Sequence, residues 1–199
     1  MPNWCVTDIT IHHENEKELE IFYEKLDEWL NHAYMENDFG SWLGNIVGNS
    51  GIGTIDTGKE TDLRCRGSVI YISEPSDGEL TISTETAWVP MIKMWVKLLD
   101  KYLPDAELIY TAEEPGCEIY YTNDPSIAGM YMFDIWDDTN IDIELSDQYF
   151  EKEMIGILQE LLGSKETIFE RLMNEFYNSQ LSEQMCIHQY EYIDAERLD

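Results

Sequence analysis

Hydrophobic and polar positions repeat along this chain with two periods, and the switches between them mark out the elements. Residues 3–12 (NWCVTDITIH) alternate as a strand, with Val6, Ile9 and Ile11 as expected core contributors. Asn15 then caps a helix whose first turn carries Glu16 and Glu18, where the helix dipole favours negative charge. Leu19, Phe22, Leu26, Trp29 and Leu30 recur at helical spacing and form its inward stripe. The pattern breaks over residues 36–62, where Gly40, Gly44, Gly48, Gly51, Gly53 and Gly58 predict a long glycine-rich connection.

Structure resumes with a hairpin: residues 64–74, a Pro-Ser-Asp-Gly turn at 75–78, and residues 79–87. Pro90 fits the first turn of a second helix with Met91, Trp95, Leu98, Leu99 and Tyr102 inward, and Pro104 ends it. Strands are expected at about 106–112, 117–122 and 129–136, and residues 140–145 alternate again. Helices follow at roughly 148–162 and 165–178, separated by Gly163 and Ser164. Residues 185–193 read as a last strand in preference to continued helix.

The order β-α-β-β-α-β over residues 3–112 predicts an α+β fold, a ferredoxin-like sandwich with helices on one face of an antiparallel sheet. Extra antiparallel strands and a helical C-terminal extension would complete it. The expected division is a ferredoxin-like domain at 1–136, with the glycine-rich insertion 36–62, and an extension at 137–199 made of an acidic strand and helices.

Charge changes this picture. Among 199 residues, 41 acidic side chains face 12 basic ones, for a formal net charge of -29. Such acidity with few aromatics would describe a disordered chain, but 12% of these residues are aromatic and 43% are hydrophobic. The chain is therefore expected to fold against its own repulsion. Its field repels nucleic acid, anionic lipid and nucleotide phosphates, and it steers basic partners inward. There is no secretory pattern at the N-terminus and no window of ~18 apolar residues. With Cys5, Cys65, Cys117 and Cys186 far apart, free thiols and a cytoplasmic location in a bacterial host cell are the expectation.

Motifs for catalysis are incomplete. The segment Gly53 to Glu60 (GTIDTGKE) has the G-x4-G-K spacing of a phosphate loop, but Glu60 stands where Ser or Thr should meet magnesium, and no helix follows. Residues 138–144 place Asp138, Asn140, Asp142 and Glu144 at alternate positions like the first half of a calcium loop. There Ile143 replaces the turn glycine and Tyr149 the bidentate Glu. Of His12, His13, His32 and His188, His188 forms a Cys-x-His pair with Cys186, and zinc would need two further ligands. No cofactor, metal or enzymatic activity is expected.

The opening MPNWC, the segment Thr86 to Pro90 (TAWVP), and the runs YLPDAELIY and EEPGCEIYY resemble a small family of phage- and plasmid-borne proteins, the Api-like or YubB-type proteins. The resemblance covers residues 1–5 and about 84–121. Val89 separates Trp88 from Pro90 where the family has a Trp-Pro pair, and Tyr121 is not followed by the family's usual glycine. It implies a ferredoxin-like domain and a mobile-element origin, without an established activity.

The stretch from Tyr102 to Glu151 holds 13 acidic residues and no Lys or Arg. From it Glu113, Glu114, Glu118, Asp134, Asp137, Asp138, Asp142, Glu144 and Asp147 are the candidate partner-binding residues. Alternate strand residues lie ~6.6 Å apart on one face, a scale comparable with phosphates ~3.4 Å apart along DNA. Lys and Arg forks built for phosphate accept carboxylates in the same geometry. Tyr120, Tyr121, Tyr131 and Trp136 stand beside these acids as candidate specificity contacts. The expected function is a mobile-element inhibitor of a basic, nucleic-acid-binding host protein such as a CRISPR or restriction nuclease, acting as an acidic nucleic-acid mimic without binding nucleic acid or membrane. The alternative is a mobile-element adaptor or regulatory protein whose acidity only maintains solubility.

Overall fold

In the computed structural model of the protein, strand β1 (Trp4–His12) turns Cys5, Thr7, Ile9 and Ile11 inward and Trp4, Val6 and Asp8 outward. The structure describes residues 3–34, 41–55, 63, 65–136 and 148–198. Val6, expected in the core with Ile9 and Ile11, is an odd number of residues from both. The two-residue period of a strand therefore puts it on the opposite face, where it is 41% exposed.

The chain divides into two compact units, Met1–Asp124 with Ile193–Asp199, and Pro125–Tyr192. In the first, α1 (Glu16–Asn31) and α2 (Leu43–Ser50) follow β1, then β2 (Gly67–Ile72), β3 (Glu79–Ala87), α3 (Ile92–Tyr102), β4 (Glu107–Glu114) and β5 (Ile119–Thr122). Within this unit the sheet runs β2-β3-β1-β4-β5, each neighbouring pair antiparallel. This is a mixed α+β architecture. Ser76 and Glu79 close the β2–β3 hairpin, with Asp77 and Gly78 at φ 54° and 79° as a two-residue turn with both central residues left-handed requires.

One sheet face carries the core. Ile9, Ile11, Leu80, Ile82 and Tyr110 meet Leu19, Phe22 and Leu26 of α1 and Ile92, Trp95 and Leu98 of α3, in one buried cluster. These stripes match the helical spacing read from sequence, and burying each large side chain stabilises by about 1.5–3 kcal/mol before entropy is subtracted. Asn15 caps α1 as expected, its side chain accepting from the Lys17 N–H at 3.2 Å. Trp29 is only partly buried and packs on Tyr102, ring centroids 4.6 Å apart.

The glycine-rich connection holds a helix that its composition conceals. In α2 Leu43, Ile46 and Val47 are fully buried. Its asparagines satisfy the end of α1, which has no glycine cap: Asn45 donates to the Leu30 carbonyl, and Asn49 to those of Trp29 and His32. At the other end Lys101 and Tyr102 of α3 donate to the Ser50 carbonyl, placing a cation at the negative end of the helix. Gly44 and Gly48 are helical because the Trp42 and Tyr34 rings lie against them, where a Cβ would collide. Gly40 and Gly58 lie outside the described residues.

The second unit joins β6 (Tyr131–Ile135), α4 (Glu151–Leu162), α5 (Phe169–Tyr177), β7 (Met185–Gln189) and the two-residue β8 (Glu191–Tyr192). β6 and β7 pair antiparallel, and Tyr131, Phe133, Met154, Leu158, Leu172, Phe176, Met185 and Ile187 form its own core. Residues 125–136, grouped from sequence with the first part, belong here because Tyr131 and Phe133 pack into this cluster. Residues 193–198, grouped from sequence with the extension, return to the first unit: the Tyr110 hydroxyl donates to the Ile193 carbonyl, whose own N–H donates to Thr122. The alternating segment 140–145 lies outside the described residues. Among those described, no helix is long and apolar enough to cross a membrane.

Candidate protein-binding surface

None of the five strands of the larger unit's sheet contains a Lys or Arg. The described Lys and Arg residues of this unit sit on helices and connections, three of them (Lys93, Lys97 and Lys101) on α3. Apart from Glu114, the strands' carboxylates fall on the face turned away from α1 and α3. Strand register brings them together: Val6 of β1 stands between Glu85 of β3 and Glu113 of β4, Asp8 between Ser83 and Thr111, and His12 between Glu79 and Glu107. The outward positions of three strands thus carry five acidic side chains.

Like charges directly opposite each other on neighbouring strands are destabilising, and this face avoids that. In each acidic row the glutamates occupy β3 and β4, with a β1 residue between them that is not acidic. Two strand spacings separate them by ~10 Å, and the six residue steps from Val6 to His12 span ~20 Å. At physiological salt the Debye length is ~8 Å, so each of these glutamates is partly screened from the next. Asp8, Glu79 and Glu107 are exposed, while Glu85 and Glu113 are half-buried. His12 Nδ1 approaches Glu79 to 3.5 Å.

The face changes character from end to end. At the Val6 end it carries exposed apolar side chains: Trp4 is 45%, Trp88 44% and Val89 50% exposed. Trp88 has φ 75°, a left-handed backbone that costs a bulky L-residue on the order of 1–2 kcal/mol. It is held there by its N–H donating to the Asn3 carbonyl at 3.0 Å, and by Thr86 Oγ1 donating to the Val89 carbonyl at 2.8 Å. At the His12 end lies a depression of ≈ 800 Å³ whose walls include His12, His13, Glu14, Asp77, Asp105 and Glu107.

The acids singled out from sequence are dispersed. Glu113 is on the open face. Its neighbour Glu114 points into the core side, only 3% exposed, because adjacent strand residues face opposite ways. Glu118 is exposed in the turn before β5, with φ 56°. Asp134 is half-buried on β6, in the other unit. Asp137, Asp138, Asp142, Glu144 and Asp147 lie outside the described residues, as do Asp56–Glu60 of the phosphate-loop-like segment. Of the aromatics named with them, Tyr120 and Tyr131 are buried, Tyr121 is half-buried, and Trp136 is 55% exposed. Asp8, Glu79 and Glu85 lie outside the acidic run, on β1 and β3, and Glu107 lies within it but was not among the acids singled out. Their signal was the two-residue alternation of β1, β3 and β4, which acquires meaning only with a register.

The buried side of the same sheet end is polar. Cys5, Thr7, Thr84, Thr86 and Glu114 are all buried there. Glu114 Oε1 accepts from the Gly116 N–H at 3.1 Å, and its buried Oε2 has no protein hydrogen-bond partner. Burial pushes the Cys5 thiol up to about 11. The exposed Cys117 thiol is also raised, first by its hydrogen bond to the Glu114 carboxylate. The expected result is that, near pH 8, where an ordinary thiol of pKa ≈ 8.5 is partly ionised, iodoacetamide leaves Cys5 untouched and modifies Cys117 slowly. Glu114→Gln should speed Cys117 alkylation several-fold, read by peptide mass spectrometry; an unchanged rate would remove Glu114 as the cause. All four cysteines are free thiols. Cys186 and His188 share one face of β7, and among the described residues no group of three or more His, Cys, Asp or Glu side chains is placed to hold a metal ion.

Comparison of the chain with protein-family models, with curated proteins and with solved structures finds no match.

Proposed function

We propose that this protein is a non-enzymatic inhibitor that docks its acidic sheet face into the basic groove of a nucleic-acid-binding protein. The observation that carries the reading is the frame of Glu79, Glu85, Glu107 and Glu113 around Asp8, on a sheet whose strands lack Lys and Arg. The frame's ~10 Å and ~20 Å edges correspond to about three and six phosphate steps of ~3.4 Å along one DNA strand. A rigid sheet presents those charges at little entropic cost, and a groove lined by Lys and Arg meets them as it meets phosphate. Strand order β2-β3-β1-β4, with helices after β1 and β3, supports a ferredoxin-like arrangement of the first unit. The similarity of its opening and of the Thr86–Pro90 segment to phage- and plasmid-borne proteins directs the proposal to a host defence nuclease, of the restriction or CRISPR kind, in a bacterial cytoplasm.

The test is capture of tagged protein from a bacterial lysate at low and moderate salt. A stoichiometric nuclease or DNA-binding enzyme, released by added DNA and progressively lost as salt rises, is the expected catch. Retention of only a salt-resistant partner without a basic groove, or of nothing, would overturn the proposal and favour the adaptor reading.

A further inference from the structure

We infer that the Val6 end of the open face is an arginine clamp, in which Trp4 and Trp88 take the planes of partner guanidinium groups and Glu85 and Glu113 take their N–H edges. This rests on the proposed acid-driven docking and specifies the side chain it recognises. Trp4 projects outward from β1 directly opposite Ala87, and Glu85 and Glu113 lie diagonally from it on either side, across from Val6. Diagonal neighbours on one sheet face stand ~7–8 Å apart, within reach of long side chains. Trp88 follows Ala87 and is tied by its backbone N–H to Asn3, the residue before Trp4. Two exposed indoles and two carboxylates thus lie at one end of the sheet.

Indole faces attract cations within ~6 Å, and a carboxylate beside the ring fixes the orientation of the guanidinium fork. Arginine satisfies both at once. Lysine offers a compact, strongly hydrated charge that cannot stack as a plane. A second copy of this chain is disfavoured as the occupant: it would bring another net charge of -29 against the same carboxylates. The strain at Trp88 fits this use, because a left-handed tryptophan persists only where the surrounding structure holds it there.

The experiment measures anisotropy of dye-labelled arginine and lysine peptides of equal length, titrated with the full chain. Wild type is expected to bind the arginine peptide about tenfold more tightly, in line with a partly desolvated cation–π contact joined to a charge-assisted fork. Trp4→Leu and Trp88→Gly should erase that preference while changing lysine-peptide affinity less than about twofold, since neither alters net charge. Glycine suits the positive φ at position 88, and Trp4 is at the surface, so both variants should keep the wild-type far-UV circular dichroism. Glu85→Gln should weaken the arginine complex more than Glu28→Gln on the exposed side of α1, although each removes one charge. Equal affinity for both peptides, unchanged in the tryptophan variants, would overturn the clamp and leave acid-driven docking standing. Failure of both peptides to bind at low salt would overturn the clamp and the docking alike.

Discussion

Reversing Glu79, Glu85, Glu107 and Glu113 together to lysine is expected to abolish partner binding and leave the protein folded. Each reversal converts an attraction at the groove into a repulsion. At about 1 kcal/mol or more per contact, four reversals cost about 4 kcal/mol, or ~10³-fold in affinity. The fold should survive because all four positions face away from the core and are separated across β1. Net charge changes only from -29 to -21, since four reversals add eight charges, so the melting temperature should hold or rise. Reversing Glu20, Glu24, Asp27 and Glu28 on α1 makes the same change in net charge on a different surface. That control is expected to lower the association rate and leave most of the affinity. A third set, Asp137, Asp138, Asp142 and Glu144, tests the segment singled out from sequence: if it alone abolished binding, the open face would not be the site. Isothermal calorimetry against the captured partner distinguishes all three.

Gly44→Ala is expected to destabilise the protein, although alanine is the better helix former. Helix propensity alone favours alanine by about 1 kcal/mol. Here the new Cβ would run into the Trp42 ring, which is anchored by its Nε1–H donating to the Cys65 carbonyl at 3.3 Å. Relief requires moving the indole and losing that bond, so overpacking of about 1–3 kcal/mol exceeds the propensity gain. Gly156→Ala in α4 is the opposite case, with nothing within 4 Å of the added Cβ. It should stabilise the second unit by about 0.5–1 kcal/mol. Denaturant unfolding of the two variants should therefore shift in opposite directions. A stabilising Gly44→Ala would mean that the indole has another place to go.

The glycine pair shows where reading by composition stops. Six glycines between 40 and 58 predict a loop because glycine is a poor helix former, yet Leu43–Ser50 is helical. Tertiary packing supplies what propensity lacks: three fully buried aliphatic side chains, two asparagines closing the end of α1, and aromatic rings occupying the space a Cβ would fill. The candidate site shows a different limit. Charge was legible as an excess and as a run from Tyr102 to Glu151, but a run is a property of one dimension. Glu113 and Glu114 are adjacent in it and end on opposite faces of β4, one half-buried on the open side and one in the core.

Local periodicity thus determined the strands β1 and β3, the stripes of α1 and α3, the hairpin turn at Asp77-Gly78 and the α+β class. Those follow from interactions between residues a few positions apart, which the sequence displays directly. The sign of the net charge was equally determined by composition. Tertiary structure decided the phase of Val6, the helix hidden among glycines, the return of the C-terminus to the first unit, and the assembly of Glu79, Glu85, Glu107 and Glu113 around β1. Each of these depends on strand register or on packing between segments distant along the chain. A one-residue slip of β1 against its neighbours would exchange that strand's own inward and outward residues, turning Ile9 and Ile11 out and Asp8 in.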